Sequence, residues 1–91
     1  MDPKHTKGFT NHLVAVEWLT KQGYYVFDNI SGLGPCDVIA LDETGNTILI
    51  DIKSVTKRKD GSIINRVPTA KQRRMKIRLL MVENDKTCAL I

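Results

Sequence analysis

Apolar side chains recur at every third or fourth position near the start of the chain, which predicts an α-helix over residues 6–22 that ends before Gly23. The stripe that we expect to face the core comprises Phe9, Leu13, Val16 and Leu19. A short run of aromatic and β-branched residues, 24–27, predicts the first strand. The chain therefore begins with a helix and a strand that meet at a glycine.

Two β-rich apolar runs in the middle of the chain predict a hairpin. The runs are residues 36–41 and 47–54, and residues 42–46 between them contain the Asn and Gly that favour a turn. Two glycines and a proline in residues 31–35 predict an irregular loop just before the hairpin. A ligand can approach the backbone of such a loop closely.

The second half of the chain predicts three more elements. Residues 55–67 surround an Asp-Gly pair, which favours a second, more exposed hairpin or a basic loop. Residues 68–83 predict a helix that starts at a proline, and residues 87–91 predict a strand. The stripe of this helix that should face the sheet comprises Met75, Leu79 and Val82. The predicted order is α-β-β-β-α-β, which is an α/β fold with a central sheet flanked by helices.

Length and composition narrow the class of protein. A chain of 91 residues suffices for one compact domain, and we expect residues 1–91 to form a single domain. No apolar run approaches the roughly 18 residues that span a bilayer, and no export signal is apparent, which favours a cytoplasmic protein without a membrane partner. Cys36 and Cys88 have no CxxC spacing, so we expect reduced thiols and no zinc site.

Positive charge is concentrated in the second half of the chain. Residues 53–78 contain ten lysines and arginines but one acid, Asp60, whereas the remaining residues are net negative. This asymmetry favours a polyanionic partner, although a solvated basic face would show the same pattern. The residues that we expect to contact nucleic-acid phosphates are Lys57, Arg58, Lys59, Arg73, Arg74 and Arg78.

Charged residues on the central hairpin form a candidate catalytic group. Strand side chains alternate between faces, so Asp51 and Lys53 share one face while Ile50 and Ile52 share the other. Asp37 opens the preceding strand and can lie opposite Asp51, with β-carbons roughly 5 Å apart. Two carboxylates this close favour a divalent cation, and Mg²⁺ takes carboxylates, waters and phosphate oxygens as ligands. With Lys53 to stabilise negative charge, this group predicts phosphodiester hydrolysis.

The register of the hairpin decides whether the two carboxylates meet. Placing Asp37 opposite Asp51 leaves an odd number of residues in the turn, which suits Gly45 because it can take a left-handed conformation. A shift by one residue would send the two carboxylates to opposite faces. The other pairs expected in this register are Ile39 with Leu49 and Leu41 with Thr47.

The string Gly-Pro-Cys-Asp that ends at Asp37, followed by Asp51-Ile52-Lys53, resembles the signature D-x(n)-(D/E)-x-K of the PD-(D/E)XK nuclease superfamily. The predicted element order resembles the minimal αβββαβ core of that restriction-endonuclease-like fold, so the resemblance covers nearly the whole chain. Small phage and homing endonucleases and archaeal Holliday-junction resolvases are similar members. The resemblance implies a Mg²⁺-dependent endodeoxyribonuclease, with Mn²⁺ able to substitute, that acts on DNA as a homodimer.

The resemblance also implies roles for residues beyond the paired carboxylates. Ile52 would add its main-chain carbonyl to the metal ligands, and Gln72 matches a glutamine that such nucleases carry near the start of the second helix. The first helix of these nucleases usually offers a glutamate where this sequence has His12. Either His12 contributes a ligand or hydrogen bond, or Glu17 substitutes for that glutamate.

Plainer interpretations exist for the same residues. Asp37 can be a turn residue, Asp51 and Lys53 an ordinary ion pair, His12 a partly buried histidine, and Gln72 a polar residue at a helix start. Because the first helix lacks its usual glutamate, a catalytically inactive nucleic-acid-binding module is the alternative to the nuclease.

Overall fold

The computed structural model describes residues 2–57, 59–64 and 66–91, and for the short strands at 56–57 and 63–64 it describes the main chain alone. Five strands form a mixed sheet in the order β1-β2-β3-β6-β7, and two short strands form a separate hairpin. The elements are α1 (Pro3–Lys21), β1 (Tyr25–Asp28), β2 (Val38–Leu41), β3 (Thr47–Ser54), β4 (Thr56–Lys57), β5 (Ile63–Ile64), α2 (Ala70–Arg74), β6 (Ile77–Val82) and β7 (Cys88–Leu90).

The predicted fold class is confirmed, because a mixed sheet lies between helices and the core elements follow the order αβββαβ. That core consists of α1, β1, β2, β3, α2 and β6. The second hairpin predicted within residues 55–67 is present as β4 and β5, which pair in antiparallel fashion. None of the helices in the described parts of the chain is long and apolar enough to cross a membrane.

The helix α1 starts and ends where its local chemistry requires. The Asp2 carboxylate caps it by accepting a hydrogen bond from the Lys4 main-chain N–H at 2.8 Å, and Pro3 occupies the first helical position. Gly23 follows the helix with a φ of 98°, a left-handed conformation that glycine adopts at low energetic cost. The predicted bounds are therefore confirmed to within three residues.

The predicted buried stripe of α1 is confirmed at its C-terminal half and wrong at its N-terminal half. Leu19 is buried and Val16 packs against the core, but Phe9 and Leu13 are 65% and 52% exposed, and the other buried residues of the helix are Asn11 and Ala15. Apolar residues occur on several sides of this helix, so their spacing alone did not identify the side that faces the sheet. The small Ala15 side chain suits close approach to the sheet, and the Asn11 amide donates to the Ser54 hydroxyl at 2.6 Å, which fixes the rotation of the helix.

The predicted second helix is too long. It ends at Arg74, and residues 77–82 form β6, which pairs in parallel with β3. Met75, Leu79 and Val82 therefore share no helical stripe. A strand buried on both faces of a parallel sheet carries a nearly continuous apolar run, which periodicity does not distinguish from a buried helix.

Each face of the sheet has its own apolar cluster. The larger cluster packs against α1 and contains Ala15, Leu19, Val38, Ala40, Ile50, Leu80 and Val82. The smaller cluster lies on the opposite face and contains Val55, Leu79 and Met81. Asp51 pairs with Leu79 across the β3–β6 ladder, so Asp51 belongs to the face with the smaller cluster.

Candidate active site

The central hairpin has the register that the paired carboxylates require. Ile39 pairs with Leu49 as predicted, and Leu41 pairs with Thr47. The ladder ends with Val38 opposite Ile50, so Asp37 follows on the same face as Asp51. The predicted register is confirmed.

The turn of this hairpin explains how the sequence sets the register. The Asp42 carboxylate accepts hydrogen bonds from the main-chain N–H groups of Thr44 and Asn46, each at 2.9 Å. Gly45 has a φ of 92°, which is the left-handed conformation expected for this position. Local turn chemistry therefore sets the register that places Asp37 and Asp51 on the same face.

The carboxyl groups of Asp37 and Asp51 interact within a largely buried site. Asp51 is 9% exposed, and the Asp37 carboxylate accepts a hydrogen bond from the Ile52 main-chain N–H at 2.7 Å. Burial and a side-chain hydrogen bond with Asp51 raise the pKa of Asp37, while the Ile52 N–H and His12 act in the opposite direction. A raised pKa means that the protein holds negative charge here at a cost, and a divalent cation would relieve that cost.

The neighbouring cysteine responds to the same negative charge. Cys36 lies just before Asp37, and its pKa is raised first by burial and then by the carboxylates of Asp37 and Asp51. Its thiol therefore stays protonated near neutral pH and is a poor nucleophile. Both cysteines are free thiols, as predicted.

Lys53 contacts the carboxylate next to it on the strand. Its ammonium Nζ lies 3.4 Å from Asp51 Oδ2, and its side chain is 44% exposed. Because Lys53 lies two residues beyond Asp51 on β3, both side chains project from the same face. One positive charge therefore stands between the buried carboxylates and solvent.

Gln72 links three parts of the structure. Its side-chain amide donates to Asp51 Oδ2 at 2.9 Å and to the Pro35 carbonyl at 3.4 Å, while its carbonyl oxygen accepts from the Thr69 main-chain N–H at 3.0 Å. Thr69 in turn accepts from the Gln72 N–H, so the two residues form a capping box at the start of α2. Gln72 is thus held in place by the helix cap while it contacts the site.

The predicted contributors from α1 lie at different distances from the site. His12 Nε2 is 2.8 Å from Asp28 Oδ1, and His12 is close enough to Asp37 to lower that residue's pKa slightly. Glu17 forms an ion pair with Lys21 at 2.8 Å, one helical turn further on, and does not join the carboxylates. The structure therefore brings His12 to the edge of the site and keeps Glu17 away from it.

Two residues that sequence reasoning missed complete this edge. Asp28 lies opposite Val38, and therefore one residue from the level of Asp37, because β1 pairs with β2. Asn29 donates through its side-chain amide to the carbonyl oxygens of Leu33 and Cys36 and so braces the loop before Asp37. The only sequence signal for Asn29 was its position directly before a loop with two glycines and a proline.

The basic residues predicted to contact nucleic acid are spread over the molecule. Arg58 and the side chain of Lys57 lie outside the described residues, and Lys59 is exposed in the turn of the β4–β5 hairpin. Arg73 donates to the Pro68 carbonyl at 2.7 Å, and Arg74 is exposed. Arg78 was expected on a helix but lies in β6, where it donates to the Ile91 carbonyl at 3.1 Å and alternates away from the face of Asp51.

Comparison with known proteins finds a similar fold among the solved structures. No protein-family model and no curated protein matches the chain. Among solved structures, the bacterial homing endonuclease I-Ssp6803I matches with a TM-score of 0.77, over 99% of this chain and 69% of that one, at 16% sequence identity. This chain therefore shares the fold of that homing endonuclease, and its own fold consists of a five-stranded mixed sheet with flanking helices.

Proposed function

We propose that this protein is a metal-dependent endodeoxyribonuclease of the PD-(D/E)XK type, which hydrolyses phosphodiester bonds in DNA. The observation that carries the proposal is the meeting of Asp37 and Asp51 on one face of the sheet, with Lys53 and Gln72 both contacting Asp51. The similarity in fold to a homing endonuclease supports DNA as the substrate.

The oxygen-rich donors suit a hard divalent cation, and we propose Mg²⁺, with Mn²⁺ able to replace it. Asp37, Asp51 and the main-chain carbonyl of Ile52 would hold the ion. No group of three His, Cys, Asp or Glu side chains is arranged to hold a metal within the described ranges 2–57, 59–64 and 66–91. Two carboxylates still fit Mg²⁺, because this ion keeps several waters and takes substrate phosphate oxygens as ligands. When bound, the ion would polarise the phosphodiester and lower the pKa of a bound water.

The protein's own groups would then position the reacting atoms. The Ile52 N–H holds the Asp37 carboxylate, and Gln72 holds Asp51 through Oδ2, so each carboxylate is oriented by a separate donor. Lys53 supplies a positive charge at the exposed side of the pair, where negative charge would develop on the scissile phosphate.

A plasmid-nicking assay with Mg²⁺ tests the proposal. Wild type should convert supercoiled DNA to the nicked form, Asp51→Asn should not, and Glu43→Gln should act like wild type because Glu43 is an exposed carboxylate in the hairpin turn. If wild type binds DNA but cleaves it in neither Mg²⁺ nor Mn²⁺, the proposal fails and the inactive DNA-binding module takes its place.

We also propose that the enzyme is a homodimer, so that two sites can cut two strands. Phe9 and Leu13 lie one helical turn apart on α1 and are both exposed, which gives the helix an outer apolar stripe suited to a second copy of the same helix. Sedimentation should show a dimer for wild type and a monomer for Phe9→Ser with Leu13→Ser. A monomeric wild type at high protein concentration would exclude this arrangement.

A further inference from the structure

A second cleft lies on the other side of β3 from the paired carboxylates. The first turns of α1, the end of β3 and the segment before α2 enclose about 460 Å³, lined by Lys4, Lys7, Gly8, Ser54 and Arg66. Ser54 follows Lys53 directly but belongs to the α1 side, because its hydroxyl bonds to Asn11. The cleft therefore shares a strand, but no lining residue, with the candidate active site.

The charge of this cleft is uncompensated among the described residues. Lys4, Lys7 and Arg66 line it, no acid does, and none of the three forms an ion pair with a described carboxylate. A comparable cleft elsewhere on α1 differs, because its Lys21 pairs with Glu17 and its Lys86 donates to the side-chain oxygen Oδ1 of Asn11. Three cations that converge on a concave surface raise its positive potential and favour an anionic ligand.

The second observation concerns Gly8, a glycine in the wall of the cleft. It lies in the interior of α1, where glycine destabilises a helix relative to alanine. Its backbone has an ordinary helical conformation, and a β-carbon added there would meet nothing within 4 Å. Neither backbone conformation nor packing in the described chain requires glycine here. The missing side chain leaves the wall of the cationic cleft open to a ligand.

The cleft lies at the end of the strand that also carries Asp51. Ser54 lies three residues beyond Asp51 on β3, which is about 10 Å at roughly 3.3 Å per residue. DNA rises about 3.4 Å per nucleotide, so about three nucleotides span that distance along β3. Because the cleft lies on the other side of the strand, the phosphate that it would contact belongs to DNA that continues past the end of β3.

We infer that the cleft of Lys4, Lys7, Gly8 and Arg66 binds a backbone phosphate of the DNA whose scissile bond lies at Asp37 and Asp51. The inference rests on the proposed function and adds to it a phosphate contact away from the reacting bond. The contact carries no sequence information, but it orients the duplex relative to the carboxylates.

A matched pair of substitutions at Gly8 tests the inference without removing any existing side chain. Gly8→Glu and Gly8→Gln have nearly equal size, both raise helix propensity, and the space around Gly8 accepts a side chain. The two variants therefore differ in charge alone. Binding of duplex DNA is measured by fluorescence anisotropy against salt concentration, with Asp51→Asn present in every protein to prevent cleavage.

We expect Gly8→Glu to bind DNA about tenfold more weakly than Gly8→Gln near 0.1 M salt, with a salt slope lower by about one unit. Gln22→Glu adds the same charge at the far end of α1, about 21 Å away at roughly 1.5 Å per residue. That distance is about two Debye lengths at this salt concentration, so Gln22→Glu should bind like its parent.

The outcomes separate this inference from the proposed function. Equal affinity and equal salt slope for the two Gly8 variants overturn the inference, while DNA binding by their parent and cleavage by wild type leave the proposed function in place. A loss with Gly8→Glu that Gln22→Glu reproduces also overturns it, because the effect is then one of net charge. If the parent protein fails to bind DNA at all, the proposed function falls and this inference falls with it.

Discussion

The face of the sheet that packs against α1 and the face that carries Asp37 and Asp51 differ in what covers them. On the α1 side, a helix of 19 residues buries Ile50, Leu80 and their neighbours in the larger apolar cluster. On the other side, a helix of five residues covers only part of β6 and presents Gln72 to Asp51. Burial of apolar area stabilises the first face, whereas the second keeps carboxylates close together at the expense of stability. Substitutions on the two faces should therefore separate stability from activity.

The largest effect is expected on cleavage, from substitutions on the face that carries Asp37 and Asp51. Asp37→Ala and Lys53→Ala should each lower the nicking rate by about 10³-fold or more, because in the proposed mechanism the metal ion and the Lys53 ammonium would stabilise charge mainly in the transition state. DNA affinity should change little. Lys59→Ala is the control, since this exposed lysine should affect affinity and its salt dependence and leave the rate at saturating DNA unchanged. Near-normal cleavage by Lys53→Ala would remove Lys53 from the site.

Substitutions on the face that packs against α1 should change the free energy of unfolding. Leu19→Ala removes a fully buried side chain from the α1 cluster and should lower the free energy of unfolding by about 3 kcal/mol, measured by urea denaturation. The folded fraction should still nick DNA at the wild-type rate. Leu13→Ala on the exposed side of the same helix is the matched control and, measured at a protein concentration low enough to give monomers, should change stability far less. Equal destabilisation by both substitutions would contradict the orientation of α1.

An intermediate effect on cleavage and stability is expected where α2 contacts the site. Gln72→Ala removes the donor to Asp51 and half of the capping box, so cleavage should slow by about tenfold and α2 should lose about 1 kcal/mol of stability. Gln72→Glu keeps a side chain that can complete the capping box but places a third carboxylate beside Asp51. It should recover only part of the lost stability, because the added carboxylate repels Asp51, and it should not restore cleavage in Mg²⁺. Full activity in Gln72→Ala would limit Gln72 to helix capping.

The smallest effect is expected on the free energy of unfolding of the metal-free protein and on its dependence on pH. Folding raises the pKa of Asp37, so the ionised carboxylate destabilises the fold at neutral pH, and this penalty disappears as the pH falls through the raised pKa. Asp37→Asn should therefore increase the free energy of unfolding at pH 7 and do so less in acid, measured in EDTA.

Asp42, in the turn of the same hairpin, should show the opposite dependence of stability on pH. Hydrogen bonds from Thr44 and Asn46 lower the pKa of Asp42, so its charge stabilises the fold above the ordinary carboxyl pKa, and this contribution is lost as the pH falls through the lowered value. Asp42→Asn should be less stable than wild type at pH 7, and the difference should shrink in acid. Mg²⁺ should raise the thermal stability of wild type and of Asp42→Asn alike, and should not stabilise Asp37→Asn.

The sequence by itself determined the central hairpin and the pairing of its charged residues. Turn residues such as Asp42 and Gly45 act locally, and side-chain alternation along a strand then sends Asp51 and Lys53 to one face. Such features depend on neighbours in the chain, so pattern reasoning predicted their register. Gln72 was also predicted to reach the site, although the capping box of a short helix places it there, and no long helical stripe does.

Only the tertiary structure decided which side of each apolar segment is buried. Phe9 and Leu13 share the predicted stripe with Leu19, but the helix is rotated so that Asn11 and Ala15 face the sheet beside Leu19. Residues 77–82 are apolar enough for a buried helix, and they form a strand because β3 offers an edge with unpaired main-chain groups. The contact of His12 with Asp28 likewise depends on the packing of α1 beside β1. Burial depends on surfaces supplied by distant parts of the chain, and for that reason local patterns did not determine it.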